Sequence, residues 1–235
     1  MKAMILAAGL GTRLKPFTLE HPKALFEYNG QTLLRHAIEH LRSAGISEII
    51  VNVHHFANQI VDYLELNKNF DCKITISDET DVLLETGGGV SKASWYFRDG
   101  MDFIVRNVDI ISDLDLQKMA NFHKQSKSIA TLAIRDRKTS RYFLFNQSMQ
   151  LCGWENRNSN EKIFIETIDN NLNSKFISSF AFSGIQILNP TIFQLITEHG
   201  KFSLTNLYLR LAKDCKISGY LEDGNVWKDI GSQKS

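Results

Sequence analysis

Proline is scarce in this chain, with three among 235 residues, and no Gly/Ser-rich or low-complexity stretch accompanies them. Without a linker of that kind, residues 1–235 read as one domain. Cysteine is equally scarce. Cys72, Cys152 and Cys215 are odd in number and have no C-x-x-C spacing. That argues against a disulfide framework or a zinc ribbon and fits small buried hydrophobes in a reducing compartment. No apolar run approaches the roughly 18 residues that span a bilayer. The opening "MKAMILAAGLGTR" is hydrophobic too briefly for a signal peptide. Charge of one sign is missing as well: 27 basic and 26 acidic residues leave a net charge of +1. A general binder of nucleic acid or of membrane surfaces would carry a basic excess. The expectation is a cytoplasmic protein, monomeric or a small homo-oligomer, without nucleic-acid or membrane partners.

What is present is an alternation of strand-like and helical patterns. "KAMIL", "EIIVNV", "KITIS", "DFIVRNVD" and "IATLAI" read as strands. "QTLLRHAIEHLRSAG" puts Leu33, Leu34, Ala37, Ile38 and Leu41 on one helical face, with Gly45 where a C-terminal cap belongs. "NQIVDYLEL", "GVSKASWYF" and "LQKMANFHKQ" read as further helices. Repeated β-α-β implies an α/β fold with a doubly wound, mostly parallel sheet. The second half changes character. "RYFLFNQSMQLCGW" reads as a hairpin turning at Asn146–Ser148, "FISSFAFSGIQIL" as a long strand, "TIFQLI" and "LTNLYLRLAK" as helices, and "ISGYLED" and "VWKDI" as strands. A small antiparallel insertion on the α/β core accounts for these. No repeat of 20–50 residues is visible.

The first strand runs into "LAAGLGTRLKPFTLEHPKAL". Two glycines let a ligand approach bare backbone, and Arg13, Lys15 and Lys23 make an anionic ligand the natural partner. Open parallel sheets bind ligands at this place, outside the carboxyl ends of the strands. The loop is neither a dinucleotide fingerprint, because Leu14 stands where a third glycine belongs, nor a P-loop, because no GK[ST] follows. Further along, "ETGGG" carries three consecutive glycines, whose entropic cost close ligand approach would explain. Glu85 there could also merely cap the next helix. Asp109 and Asp229 each follow an apolar strand-like run.

"LAAGLGTRLKPFT" followed by "PKAL" resembles the signature of the sugar-1-phosphate nucleotidyltransferases. "LLETGGGV" is similar to the nucleotide-side loop of their muramate-1-phosphate uridylyltransferase and heptose-phosphate guanylyltransferase branch. "FIVRNVDI" resembles the strand ending in the metal-binding Asp, "FAFSGIQIL" the sugar-side strand and "WKDIGS" the closing W-x-D-I-G-T. The resemblance implies a Rossmann-like nucleotidyltransferase with a nucleotide half at about 1–115 and a sugar-phosphate half at about 116–235. It implies that Leu6, Ala7, Ala8 and Gly9 face base and ribose, while Gly11, Thr12, Arg13 and Lys23 hold the triphosphate. Glu85 and Gly88 would frame the nucleoside, Asn107 and Gly184 would lie against the sugar, and Asp109 and Asp229 would hold Mg²⁺. The catalytic cations would be Arg13 and Lys23, with Arg13 mattering at least as much as Lys23.

In that reaction a sugar 1-phosphate attacks the α-phosphorus of a nucleoside triphosphate and releases pyrophosphate. The nucleophile needs no general base, since with a second pKa near 6 it is about 90% dianion at pH 7. His54 and His55 therefore need no catalytic role. Repulsion between two polyanions is the barrier, so positioning and charge neutralisation carry the catalysis.

Three departures from the family pattern stand out. Val108 replaces the glycine of N-G-D, Arg141-Tyr142-Phe143 stands where relatives often have R-Y-G, and the chain closes at "DIGSQKS" without the added helix or β-helix domain of many relatives. Ala8 points to uridylyl rather than guanylyl transfer, because a glycine there would leave more room for a purine; guanylyl and cytidylyl transfer stay as alternatives. Two rivals are a nucleotide-sugar-dependent glycosyltransferase, for which Asp113-Leu114-Asp115 has the D-x-D form, and a nucleotide-sensing domain without turnover.

Overall fold

The computed structural model describes residues 1–165, 177–222 and 226–232. Phe176, Asp223 and the closing Gln233–Ser235, which belong to the expected strands and tail, lie outside them. In chain order, β1 (Lys2–Leu6) leads through a two-stranded ribbon, β2 (Glu27–Tyr28) and β3 (Gln31–Thr32), into α1 (Leu33–Ser43). Next come β4 (Glu48–Val53), α2 (Ala57–Leu66), β5 (Lys73–Asp78), α3 (Glu85–Lys92), β6 (Phe103–Asn107), β7 (Ile110–Ser112) and α4 (Leu116–Ser126). The second half contributes β8 (Ala130–Arg135), β9 (Arg141–Phe145), β10 (Leu151–Asn156), β11 (Glu161–Phe164) and β12 (Ser178–Leu188). It closes with α5 (Ile192–Leu195), α6 (Leu204–Leu211), β13 (Ile217–Leu221) and β14 (Trp227–Asp229).

One sheet, ordered β11-β10-β9-β12-β6-β1-β4-β5, crosses the molecule; β8 joins it beside β12, and β13 pairs with β8. β6, β1, β4 and β5 are parallel, while β12 runs antiparallel to β6 and β8. Period-two alternation sorts the strand residues between two cores. Ala3, Ile5, Ile49, Val51 and Ile104 face one core with the helices α1, α2 and α4. Met4, Ile50, Phe103 and Val105 face the other, with α3 and α6. The sheet is therefore covered on both faces, as the uninterrupted apolar strands require.

Local signals explain the helix ends. Thr32 caps α1 by accepting a bond from the Arg35 N–H (3.1 Å), and all five apolar positions expected inward are buried. Gly45, at φ 80°, ends the helix with its N–H on the Arg42 carbonyl (2.8 Å). Asp115 caps α4 through bonds from Gln117 N–H (3.0 Å) and Lys118 N–H (2.9 Å).

The expected antiparallel strands β9–β11 extend the main sheet, because β9 pairs with the start of β12. Two expectations need adjusting. The hairpin turn reaches Gln150 rather than Ser148, since the Asn146 side chain accepts from both Ser148 N–H and Gln150 N–H. The second concerns α3, which starts at Glu85 rather than at Gly89. Tertiary packing around the glycines outweighs their poor helix propensity there.

Candidate active site

A cavity of about 510 Å³ opens at the carboxyl ends of β1, β4 and β6. Of the residues expected at the site, Leu6, Ala8, Gly9, Lys23, Glu85, Asn107 and Asp109 line it. Asn52, Leu83, Thr86, Val108, Arg141, Ser203 and Thr205 complete the wall. Ala7, Gly11, Thr12, Arg13, Gly88, Gly184 and Asp229 are not among the lining residues.

The first loop is held from beneath. Asn52, 2% exposed, accepts bonds from the Ala7 N–H (2.7 Å) and Ala8 N–H (3.4 Å) through Oδ1. Its Nδ2 donates to Oε1 of Glu79, which is itself 1% exposed (2.8 Å). Glu79 also accepts the Leu84 N–H (3.2 Å) through Oε2, tying the glycine helix to the same chain of bonds. The Ala7 and Ala8 backbone donors are thus engaged inside the protein. Gly9 has open space where a Cβ would stand, so the bare backbone lies there. Gly11, at φ 60°, lets Lys23 and Thr18 close over the loop. Thr12 and Arg13 begin the short 3₁₀ turn Thr12–Leu14, and Arg13 is exposed to solvent.

Asp109 follows β6, and its carboxylate forms an ion pair with Lys23. The short β14 pairs with β7 in register Asp229↔Ile110, and the Ile230 N–H donates to the Asp109 carbonyl (3.0 Å). Tertiary structure thus brings the two aspartates to neighbouring positions. Gly231 lies directly on the Lys23–Asp109 pair, where any Cβ would collide with both side-chain ends. The Arg137 guanidinium sits 4.2 Å from the Trp227 ring centre, and the Asp229 charge opposes the lowering of its pKa by burial. Trp227 in turn donates its Nε1–H to the Ser183 carbonyl (2.9 Å).

The glycines of "ETGGG" have another use than the one expected. A Cβ on Gly87 would meet the Phe202 ring, on Gly88 the Gly200 carbonyl, and on Gly89 the Glu79 carboxylate and Asn52 amide. They admit the segment before α6, whose Phe202 carbonyl takes the Gly87 N–H (2.9 Å) and Gly88 N–H (3.2 Å). That packing puts Ser203 and Thr205 into the cavity wall. Glu85 makes no capping bond. It faces the cavity at φ 61°, with Lys201 Nζ 3.5 Å away. Gly184, at φ 81°, lies against Ile110 and the Asn107 amide, so its missing side chain leaves room beside the β6–β7 turn.

Beneath that turn lies a group the sequence reading passed over. Arg106 is 1% exposed and follows strand parity onto the α1 side of the sheet. It donates from Nη2 to the Ile110 carbonyl (2.5 Å) and from Nη1 to the Ala37 carbonyl (3.4 Å), with His40 Nδ1 2.7 Å from Nη1. Burial lowers its pKa to about 10. Burial, then the Arg106 charge, lowers His40 to about 4, so the imidazole is neutral near pH 7, and its Nε2 bonds the Leu114 carbonyl (2.8 Å). The signal in the sequence was a lone arginine inside an otherwise apolar strand.

The D-x-D has structural work at both ends. Asp113 accepts the Val226 N–H (3.0 Å), pinning the closing segment, while Asp115 caps α4. His54 bonds the Glu79 carbonyl (2.6 Å). The three cysteines are free thiols. Among the described residues no helix is long and apolar enough to cross a membrane, and no three His, Cys, Asp or Glu side chains cluster as a protein-only metal site. Two neighbouring carboxylates do fit a hard cation that takes its remaining ligands from water and phosphate. Lys23 and Arg137 already bring positive charge to them.

The Nucleotidyl transferase family profile matches residues 2–235. The N-acetylmuramate alpha-1-phosphate uridylyltransferase of Caulobacter vibrioides is 31% identical, across 99% of this chain and 93% of that protein. The mannose-1-phosphate guanylyltransferase catalytic subunit beta of Dictyostelium discoideum is 30% identical across 100% of this chain. The chain spans only 62% of that relative's length. Among solved structures, HddC from Yersinia pseudotuberculosis complexed with GMP-PN superposes with a TM-score of 0.75 at 22% identity, covering 98% of this chain and 93% of that one. That likeness establishes the fold. With the profile matching nearly every residue and a relative aligned almost end to end, the chain belongs to the nucleotidyl transferase family.

Proposed function

We propose that this chain joins a nucleoside triphosphate to a sugar 1-phosphate, releasing pyrophosphate, and that it prefers uridylyl transfer. The nucleotide sugar so formed would serve cell-wall or surface polysaccharide. The observation that carries this reading is the Lys23–Asp109 pair in the cavity wall, with Asp229 one backbone hydrogen bond away. Cation and carboxylates stand together at the carboxyl ends of parallel strands, where an anionic ligand and a hard metal can share a site.

The residues divide the work. Gly9, Ala8 and Asn52 offer a shaped floor to the nucleoside, and Lys23 supplies a point charge to the triphosphate. Arg13 stands exposed on the adjacent turn and adds its charge from the rim. Arg141, in the cavity wall, presents a planar fork of donors suited to a phosphate or a sugar carboxylate. Asp109 and Asp229 would hold Mg²⁺, which when bound neutralises charge on the phosphates. A sugar-phosphate oxygen forms the new bond to the α-phosphorus as the bond to the β-phosphate oxygen breaks. No proton need be moved by the protein, because the nucleophile arrives ionised.

Uridine is favoured on two grounds. Ala8 lines the cavity and is 5% exposed, so its methyl group takes space on the base side. A relative aligned across 93% of its own length is named a uridylyltransferase. One methyl group discriminates by about 1–3 kcal/mol, so other bases should leak through. Pyrophosphate release from UTP, GTP, CTP and dTTP, each with a panel of sugar 1-phosphates and Mg²⁺, tests the reading. Release that requires both substrates supports transfer. Nucleotide binding without release would favour a sensing domain, and a clear preference for GTP in direct competition would overturn the choice of base.

A further inference from the structure

We infer that Arg106 and His40 form a positioning pair for Asp109: a buried guanidinium, held by a neutral imidazole, locks the β6–β7 turn so that the Asp109 carboxylate stays aimed at the metal. The inference rests on the metal role proposed for Asp109.

The turn is short and strongly tethered. Before Asp109, the Val108 N–H donates to the Leu6 carbonyl (3.1 Å). At Asp109, the carbonyl receives the Ile230 N–H (3.0 Å). Immediately after it, the Ile110 carbonyl receives Arg106 Nη2 (2.5 Å). That last tether is a side chain, and it is anchored in turn on α1 through His40 and the Ala37 carbonyl. His40 extends the brace by bonding the Leu114 carbonyl, at the far end of the β7 segment. One helix therefore grips both ends of the stretch that follows Asp109.

The chemistry is unusual for a purely structural role. A guanidinium 1% exposed ordinarily sits on a carboxylate, yet among the described residues Arg106 bonds only carbonyls and an imidazole. A charge buried without a paired opposite charge destabilises a fold. The acid whose charge most offsets that burial is Asp109 itself. A valine occupies the turn at position 108 and is buried at 3% exposure, so the local backbone lacks glycine's freedom and follows the brace. Partners of this kind behind a metal ligand alter affinity or rate by about 10–100-fold when changed.

The test compares Arg106→Lys, His40→Gln, His40→Leu and Asp109→Asn with the unaltered protein, reading Mn²⁺ binding by EPR, kcat, triphosphate KM and Tm. Arg106→Lys keeps the charge but loses the fork. It should weaken Mn²⁺ binding and lower kcat by about 10–100-fold while KM for the triphosphate changes little. His40→Leu should move in the same direction. His40→Gln, whose amide can face both partners, should behave nearly as the unaltered protein. A lower Tm for Arg106→Lys with unchanged Mn²⁺ affinity and kcat would reduce the pair to a structural brace and overturn the inference. If Asp109→Asn itself binds Mn²⁺ normally, the metal role fails, and this inference falls with it. If only Asp109→Asn is impaired, the metal role stands and the positioning role is refuted.

Discussion

Lys23 and Asp109, separated by 86 residues in sequence, meet as an ion pair with side chains only 12% and 13% exposed. Neither charge is well solvated, so each depends on the other until an anionic substrate and a cation separate them. Lys23→Ala should cost roughly 1.5–3 kcal/mol of triphosphate binding in the transition state, about 10–150-fold in kcat/KM. Arg13→Ala should have the smaller effect, because Arg13 is exposed and outside the cavity wall. Steady-state kinetics with varied triphosphate decides between them, and equal or reversed effects would contradict this ordering.

Asp109→Asn should lower turnover by about 100-fold or more, with secondary structure retained, since it removes a charged hard ligand from the centre of the repulsion. Asp229→Asn should follow it. Activity of both variants near the unaltered level at limiting Mg²⁺ would refute the metal assignment, and chelation by EDTA should abolish turnover reversibly.

Gly231→Ala isolates the closing segment. The added methyl would strike the Lys23 ammonium and the Asp109 carboxylate, which are flexible side-chain ends rather than backbone. The fold should therefore survive with Tm changed by only a few degrees, while the ion pair is displaced and kcat drops. An active Gly231→Ala variant would show that the pair tolerates displacement.

Asn52→Leu should raise the triphosphate KM and lower stability by about 1–3 kcal/mol. It strands the Ala7 and Ala8 N–H groups and leaves the Glu79 carboxylate without its amide partner. Glu79→Gln preserves an acceptor and should be milder. Denaturant titration and kinetics on both variants check the order.

His40 gives stability a pH dependence of defined sign. Its pKa is near 4 in the folded protein and near 6.5 when unfolded, the shift arising from burial first and the Arg106 charge second. Below about pH 6.5 the unfolded chain takes up a proton that the native state refuses, so stability falls as pH drops towards 4 and this contribution then levels off. A shift of that size is worth at most about 3 kcal/mol. His40→Gln should remove this component from a denaturant-derived stability curve. An unchanged slope between pH 6.5 and 4 would place the titration elsewhere.

Much of the molecule was legible because its signals are local. Apolar runs marked the parallel strands, the Leu33–Leu41 stripe marked α1, and "LQKMANFHKQ" marked α4. Gly9 and Lys23, close together in the sequence, both stand in the cavity wall. Periodicity and capping act within a turn or a strand, so they can be read from neighbours along the chain.

Tertiary structure alone decided the rest. Asn52 lies within β4 and Glu79 just after β5, and only the parallel pairing of β4 with β1 and β5 sets them beneath the first loop. Gly87 and Gly88 have no room for a side chain because Phe202 and Gly200, more than 100 residues later, pack on them. Arg106 faces α1 because strand parity leaves it no other side. Asp229 and Gly231 reach Asp109 only because β14 pairs with β7. Contacts like these arise when distant segments bury surface together, and nothing in the spacing of residues along the chain encodes the partner.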